Sequence, residues 1–216
     1  MNETRPGRWI GYSAGPGGKD HLEPDMRVFA EQRERELADR TQLASDIDAR
    51  CRLHGSFVLR SGQTASEYFD KYLFEADPRL LRRLAEQMVP LVPAGTQLLA
   101  GLELGGVPIA AMLSQLTGLP ALFVRKQAKE YGTRKLAEGD DPAGQHVILL
   151  EDVITTGGAV LMAATALREL GATVSTVVCA IDRSAPGVSV LAEHGISVRS
   201  VLTKADLDAA ASSASS

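Results

Sequence analysis

The stretch Glu151-Asp152-Val153-Ile154-Thr155-Thr156-Gly157-Gly158 puts adjacent carboxylates, adjacent hydroxyls and paired glycines within one short run. Adjacent carboxylates accept hydrogen bonds from the vicinal hydroxyls of a sugar. A Thr-Thr-Gly-Gly turn at the positive end of a helix offers backbone N–H groups to a phosphate. The apolar run Val147–Leu150 reads as a buried strand before it, and Ala159–Leu170 as a helix after it. The chemistry indicated is therefore that of a sugar phosphate. No Gly-Lys-Ser/Thr follows the glycines, as a P-loop requires, and the Gly-x-Gly-x-x-Gly spacing of dinucleotide binders is missing.

Three other groups carry chemistry. Gly101-Leu102-Glu103-Leu104-Gly105-Gly106-Val107-Pro108 follows a predicted strand, and its glycines allow a ligand close to the backbone. Arg125, Lys126 and Lys129 cluster at another strand's end, followed by a polar, glycine-containing stretch through Asp141. Cations that close over a departing anion stabilise it most at the transition state. Arg183 emerges after the apolar run Val178–Ile181, where its fork of donors suits a carboxylate or a carbonyl edge.

Together these motifs resemble the type I phosphoribosyltransferases, and the wording of residues 151–158 is most similar to the orotate phosphoribosyltransferase branch. The resemblance covers residues 43–207. It implies that Glu151 and Asp152 hold the ribose hydroxyls of phosphoribosyl diphosphate, with Asp152 counted among the catalytic groups. Thr155, Thr156, Gly157 and Gly158 would bind the 5′-phosphate, and Thr155 would also lie near the base. Glu103, Leu104, Gly105 and Gly106 correspond to the family's diphosphate loop, which often contains a non-proline cis peptide. Arg125, Lys126 and Lys129 would stabilise the leaving diphosphate from a lid that reaches into the neighbouring subunit, so a homodimer is implied. Arg183 would orient orotate. Phe57–Gly62 and Ser66–Asp70 resemble a hood over the base, with Arg60 in the place of a lysine. Tyr68 and Phe69 fit either that hood or the core. Mg²⁺ would be held mainly by substrate oxygens.

Two departures stand out. Gly105 occupies a position where orotate enzymes often carry lysine. Tyr131 stands where many carry histidine, and a phenol with a pKa of ~10 is a poor proton shuttle near neutrality. The lid is therefore expected to act by electrostatics and positioning, with Tyr131 donating a hydrogen bond and Arg134 adding a cation. The implied reaction is orotate plus phosphoribosyl diphosphate giving orotidine 5′-monophosphate and pyrophosphate, a step of pyrimidine synthesis. A phosphoribosyltransferase for another base, and a non-catalytic regulator that senses the donor, remain as alternatives.

The elements that must position these groups alternate along the chain. Strands are predicted at 97–101, 121–125, 147–150, 174–181 and 198–202, and helices at 108–116 and 159–170, the latter ended by Gly171. Asp77-Pro78 caps a helix reaching Val89, with Leu80, Leu81, Leu84 and Met88 inward. Leu43, Ile47 and Cys51 form one apolar helical stripe that Gly55 should stop. Ser56–Arg60 and Tyr68–Leu73 read as short strands. The fold class is α/β: a largely parallel twisted sheet flanked by helices, with a small hood near the N-terminus. Ligands of such sheets sit beyond the carboxyl ends of the strands.

The 216-residue length suits one domain with decoration. Residues 1–25, rich in Gly and Pro, read as a flexible leader, 26–208 as the phosphoribosyltransferase domain, and 209–216 as a tail that frays. The charges of 26–40 read as a solvated helical face. A net charge of −4 argues against a general nucleic-acid binder. No apolar run approaches the ~18 residues of a membrane span, and Met1–Arg8 lacks a signal peptide's apolar core. Cys51 and Cys179 read as reduced core residues, and the four histidines lack metal-ligand spacing. A cytoplasmic enzyme is the reading.

Overall fold

The computed structural model describes residues 24–59, 62–126, 136–185 and 190–214. The chain divides into two units, residues 1–38 and 39–216. The described part of the first is charged helix, with Val28 and Leu37 exposed and Gln32 donating to Glu36 at 3.2 Å.

Helix α1 covers Pro24–Cys51, and from Leu43 onward its apolar stripe is buried. The chain then enters strand β1 (Arg52–Val58) without a turn, pairing antiparallel with β2 (Thr64–Phe69). Gly55 does not stop α1. It lies inside β1, where the register shifts between His54 and Phe57, as an extra residue in one strand requires. Arg52 pairs with Phe69 immediately after the helix, and its guanidinium grips Asp48 (2.7–3.0 Å) and Glu67 (3.0 Å). The strand expected at 68–73 is likewise corrected. It ends at Phe69, because the Asp70 carboxylate accepts the Tyr72 N–H (3.2 Å) and opens the one-turn helix α2 (Tyr72–Glu75).

Asp77 caps helix α3 (Pro78–Met88), accepting from Arg79 N–H (2.9 Å) and Leu80 N–H (3.2 Å). Its inward residues are those expected, and a short turn of 3-10 helix follows at Val89–Leu91. Strand β3 (Leu98–Leu102), helix α4 (Gly106–Thr117) and strand β4 (Ala121–Val124) come next. Strand β5 (Ala137–Gly139) lies in the polar, glycine-containing stretch that ends at Asp141 and pairs antiparallel with β4. Strand β6 (His146–Ile154), helix α5 (Gly158–Glu169), strand β7 (Thr173–Asp182), helix α6 (Val190–Glu193), strand β8 (Ser197–Thr203) and helix α7 (Lys204–Ala214) complete the order. Helix α7 occupies most of the segment assigned to the tail.

The main sheet runs β5-β4-β3-β6-β7-β8, parallel except for β5. Side chains alternate across it. Leu99, Ile148, Leu150 and Val178 pack with α2, α3, α4 and the end of α1, whereas Leu98, Val147, Leu149 and Cys179 pack with α5 and α6. From β3 the chain winds outward to β4, and from β6 it winds the other way to β7. The strand order therefore reverses between β3 and β6, the crevice where such sheets bind ligands.

Candidate active site

Two loops meet at that crevice. The first, Glu103–Gly105, joins β3 to α4 and contains a cis peptide between Glu103 and Leu104, as the resemblance implied. The second follows β6. Gly101 pairs with Leu150 in the sheet, so the loop after β3 lies directly beside Glu151 and Asp152. The approach is close enough to require glycine. A Cβ at Gly106 would strike the Leu150 carbonyl oxygen, and one at Gly105 would run into the carboxyl groups of Asp152 and Glu75.

The acidic pair is not beyond its strand, as the sequence suggested. It lies within β6, where Glu151 pairs with Cys179, and the strand continues to Ile154. Both side chains are consequently buried, Asp152 completely. Asp152 Oδ1 accepts the Val153 N–H at 2.5 Å, and Oδ2 is 2.5 Å from Lys71 Nζ. Glu75 stands behind it with an oxygen that has no other partner. Burial would raise the Asp152 pKa, but hydrogen bonds with Glu151, Glu75 and Lys71 outweigh it and hold the group below its ordinary value. Glu75 and Glu151 move the other way, through burial first and then through sharing a hydrogen bond with Asp152. The Lys71 ammonium is opposed by burial, yet the Asp152 hydrogen bond and charge leave its pKa raised. The shifts concentrate the negative charge of the cluster on Asp152, opposite the Lys71 ammonium, and hold the Glu75 and Glu151 carboxyls toward protonation.

The strand expected over 68–73 hides Lys71, and neither it nor Glu75 is among the residues that the sequence assigns to the site. Their four-residue spacing, an acid–base pair on one helical turn, was the available signal.

Thr155 and Thr156 are exposed and lead into Gly157, which has φ +78° at the N-terminus of α5. No side chain caps that terminus, so its N–H groups face outward at the positive end of the helix. A cavity of about 240 Å³ opens there, lined by Ile154–Gly157, Ser184, Ala185, Val190 and Leu191. A second, of about 440 Å³, brings Glu103, Arg125 and Lys126 together with Ala159 and Met162 of α5. Glu103 accepts the Lys126 N–H at 3.1 Å, and Arg125 meets Glu138 at 3.4 Å. Arg183 follows β7, its N–H bonded to the Ile154 carbonyl (2.8 Å) and its guanidinium 5.7 Å from the centroid of the Phe69 ring. Phe69 is half-buried, whereas Tyr68 is exposed and leans on Phe57 at 5.6 Å. Arg60, Lys129, Tyr131 and Arg134 lie outside the described residues.

The phosphoribosyl transferase domain family matches residues 74–193. A curated relative from Nocardioides sp., named orotate phosphoribosyltransferase, is 70% identical over 168 residues, spanning 78% of this chain and 94% of the relative. The chain belongs to the orotate phosphoribosyltransferase family. A second member, from Methanocella arvoryzae, is 42% identical over 71% of this chain and 87% of its own length. The Mycobacterium tuberculosis orotate phosphoribosyltransferase, solved with Fe(III) dicitrate, superposes with a TM-score of 0.71 at 32% identity, over 78% of this chain and 98% of that one. The same mycobacterial enzyme solved with phosphoribosyl diphosphate gives 0.67 at 29% identity, over 79% and 99%. The type I phosphoribosyltransferase fold expected for an orotate phosphoribosyltransferase is the fold this chain has.

The donor atoms also bear on Mg²⁺, the cation of the family. Among the described residues no group of three His, Cys, Asp or Glu side chains could hold a metal. Asp152 already has an ammonium for a partner, and its two carboxyl neighbours are held toward neutrality. Among the described residues this donor set offers no ready cage of side chains for the ion.

Proposed function

We infer that the chain transfers the phosphoribosyl group of phosphoribosyl diphosphate to orotate, giving orotidine 5′-monophosphate and pyrophosphate in pyrimidine synthesis. A ring nitrogen of orotate forms a bond to the anomeric carbon, the bond from that carbon to the diphosphate oxygen breaks, and the nitrogen's proton is lost. The observation that carries this reading is the meeting of the 103–106 and 151–158 loops at the reversal of strand order, within a chain 70% identical to a named relative.

Asp152 and Glu151 receive the ribose hydroxyls, and the Asp152 carboxylate offsets positive charge developing at the anomeric carbon. Backbone N–H groups of Thr155–Gly158 take the 5′-phosphate at the uncapped start of α5. Glu103–Gly106 hold the diphosphate through the main chain. Arg125, Lys126 and Lys129 stabilise it as it leaves, with Tyr131 donating a hydrogen bond, and the lid that carries them is shared across a homodimer. Arg183 and Arg60 orient the base, and the Phe69 ring beneath Arg183 supports that assignment. Mg²⁺, held by substrate oxygens and not by side chains, would supply charge neutralisation for the departing diphosphate. The phosphoribosyltransferase domain is assigned to residues 26–208, within which the family match spans 74–193. Cytoplasmic placement is supported by two free, buried thiols.

Steady-state turnover with orotate, uracil, adenine and hypoxanthine tests the assignment. Orotate should dominate, and comparable or better turnover of another base would overturn it. Lys129→Ala should reduce orotate turnover sharply. Unchanged turnover would remove Lys129 from the lid.

A further inference from the structure

The side chains around Asp152 form an arrangement that the transfer reaction cannot use as it stands. Asp152 Oδ1 accepts the Val153 N–H, and Oδ2, which has no hydrogen-bond partner, is held in an ion pair by the Lys71 ammonium. The space in front of Gly105 is filled by Asp152 and Glu75, and the Asp152 side chain has no exposed surface. With the Lys71 ammonium against Oδ2 and no exposed surface on the Asp152 side chain, a ribose hydroxyl has no open path to that oxygen. An ammonium in direct contact also cancels much of the field that the carboxylate would present to a developing cation.

Of the two partners, Lys71 is the one able to leave. Asp152 is fixed in the middle of the sheet, whereas the Lys71 side chain is 34% exposed on a flexible stem at the start of α2. Outside the pair, its ammonium is 5.4 Å from the centroid of the Tyr72 ring. Two residues earlier, Phe69 lies under Arg183. Lys71 is thus tethered at the rim where an anionic substrate enters.

We propose that Lys71 is an exchange cation: it covers Asp152 in the empty enzyme and passes to an anionic oxygen of the bound substrates, freeing Asp152 for a ribose hydroxyl. The inference rests on the phosphoribosyl-transfer reading. The charged and titratable groups described around this pair come from several elements, and Tyr72 lies beside Lys71. Lys71 and Glu75 face Asp152 from α2, with Asp70 just before them, and Glu151 and Cys179 lie beside it in β6 and β7. With the ammonium gone and no substrate present, Asp152 would be a buried charge beside two carboxyls held toward protonation. Its protonation would then begin at higher pH.

The test compares full-length wild type with Lys71→Met, Lys71→Gln and Lys71→Arg, and with Lys204→Met as a control at an exposed surface pair. The values of kcat and of both KM are measured across the pH range, at saturating Mg²⁺. Both neutral variants should lose about tenfold or more in kcat, and the acid limb of kcat/KM, which reports the empty enzyme, should move up by about one unit. Arginine should restore the limb and part of kcat. A higher KM for orotate with unchanged use of uracil identifies the acceptor carboxylate as the exchange partner. Weaker donor and pyrophosphate binding identifies the diphosphate. Lys71→Gln keeps the experiment decisive if the methionine variant does not fold. Neutral variants whose kcat and acid limb match wild type and Lys204→Met would overturn the proposal, whatever their melting temperature. A wild type inert toward orotate would instead overturn the parent reading.

Discussion

Arg183 and Phe69 meet face to charge, guanidinium carbon to ring centroid at 5.7 Å, although one follows β7 and the other ends β2. This contact joins the two-stranded hairpin to the carboxyl edge of the main sheet, so the hairpin's end and the arginine form one surface. Replacing Arg183 with Gln should raise the KM for orotate about tenfold, equivalent to ~1.4 kcal/mol of lost binding. The KM for phosphoribosyl diphosphate should change far less. Initial-rate measurements with each substrate varied would check this, and equal effects on both constants would remove Arg183 from the base subsite.

Gly105 provides a steric prediction. A methyl group there would be driven into the Asp152 and Glu75 carboxyl groups, and neither can retreat from the packed interior. Gly105→Ala should cost about 1–3 kcal/mol of stability by overpacking and lower kcat by at least about tenfold as Asp152 is displaced. Urea denaturation and steady-state kinetics would measure the two effects. A variant that is both stable and fully active would show that the loop has room to move.

Glu75 makes stability pH-dependent in an unusual direction. Burial and the hydrogen bond with Asp152 raise its pKa from 4.5 to about 8. A carboxyl raised on folding favours the native state while protonated, so its contribution is complete below the unfolded value and is lost as pH rises toward the folded one. Wild type should therefore lose stability between about pH 5 and pH 8 relative to Glu75→Gln, which stays neutral throughout. Urea midpoints of the two proteins at each end of that range would settle it. Parallel curves would mean that Glu75 is ionised in the native protein.

How much of this was legible in the sequence depended on locality. The 151–158 and 101–108 loops are contiguous and carry their chemistry in consecutive residues, so both could be read directly. Helix α3 was equally plain, because Asp77-Pro78 and the apolar spacing after it are local signals. The length of β6 was not, since a Glu-Asp pair argues against a buried strand. The facing Lys71, supplied from far away in the chain, joins hydrogen bonds with Glu151 and Glu75 in making the Asp152 charge tolerable there. Strand β5, three residues in a polar stretch, exists through its pairing with β4 and has little local signature. Lys71 was lost because one residue, Asp70, turns a strand into a helix.

At the far end of the chain, Thr203 and Asp206 exchange hydrogen bonds at the start of α7. The Asp206 carboxylate takes the Thr203 N–H and hydroxyl at 2.7 Å each, and it also meets Arg40 at 2.7 Å. Asp206→Ala should cost about 1–2 kcal/mol through loss of this capping arrangement. Chemical denaturation should report that loss with kcat unaltered, and a change in kcat would tie α7 to the site.

The two thiols lie on opposite sides of the main sheet, Cys51 among the helices α1 to α4 and Cys179 against α5. Both are fully buried, and burial pushes the Cys51 thiol up to about 12 and that of Cys179 higher still. Neither can react with an alkylating reagent until its own layer opens. The native chain therefore carries a built-in pair of clocks. Their relative labelling rates reveal which layer parts from the sheet first, and whether a bound donor holds one layer closed more tightly than the other.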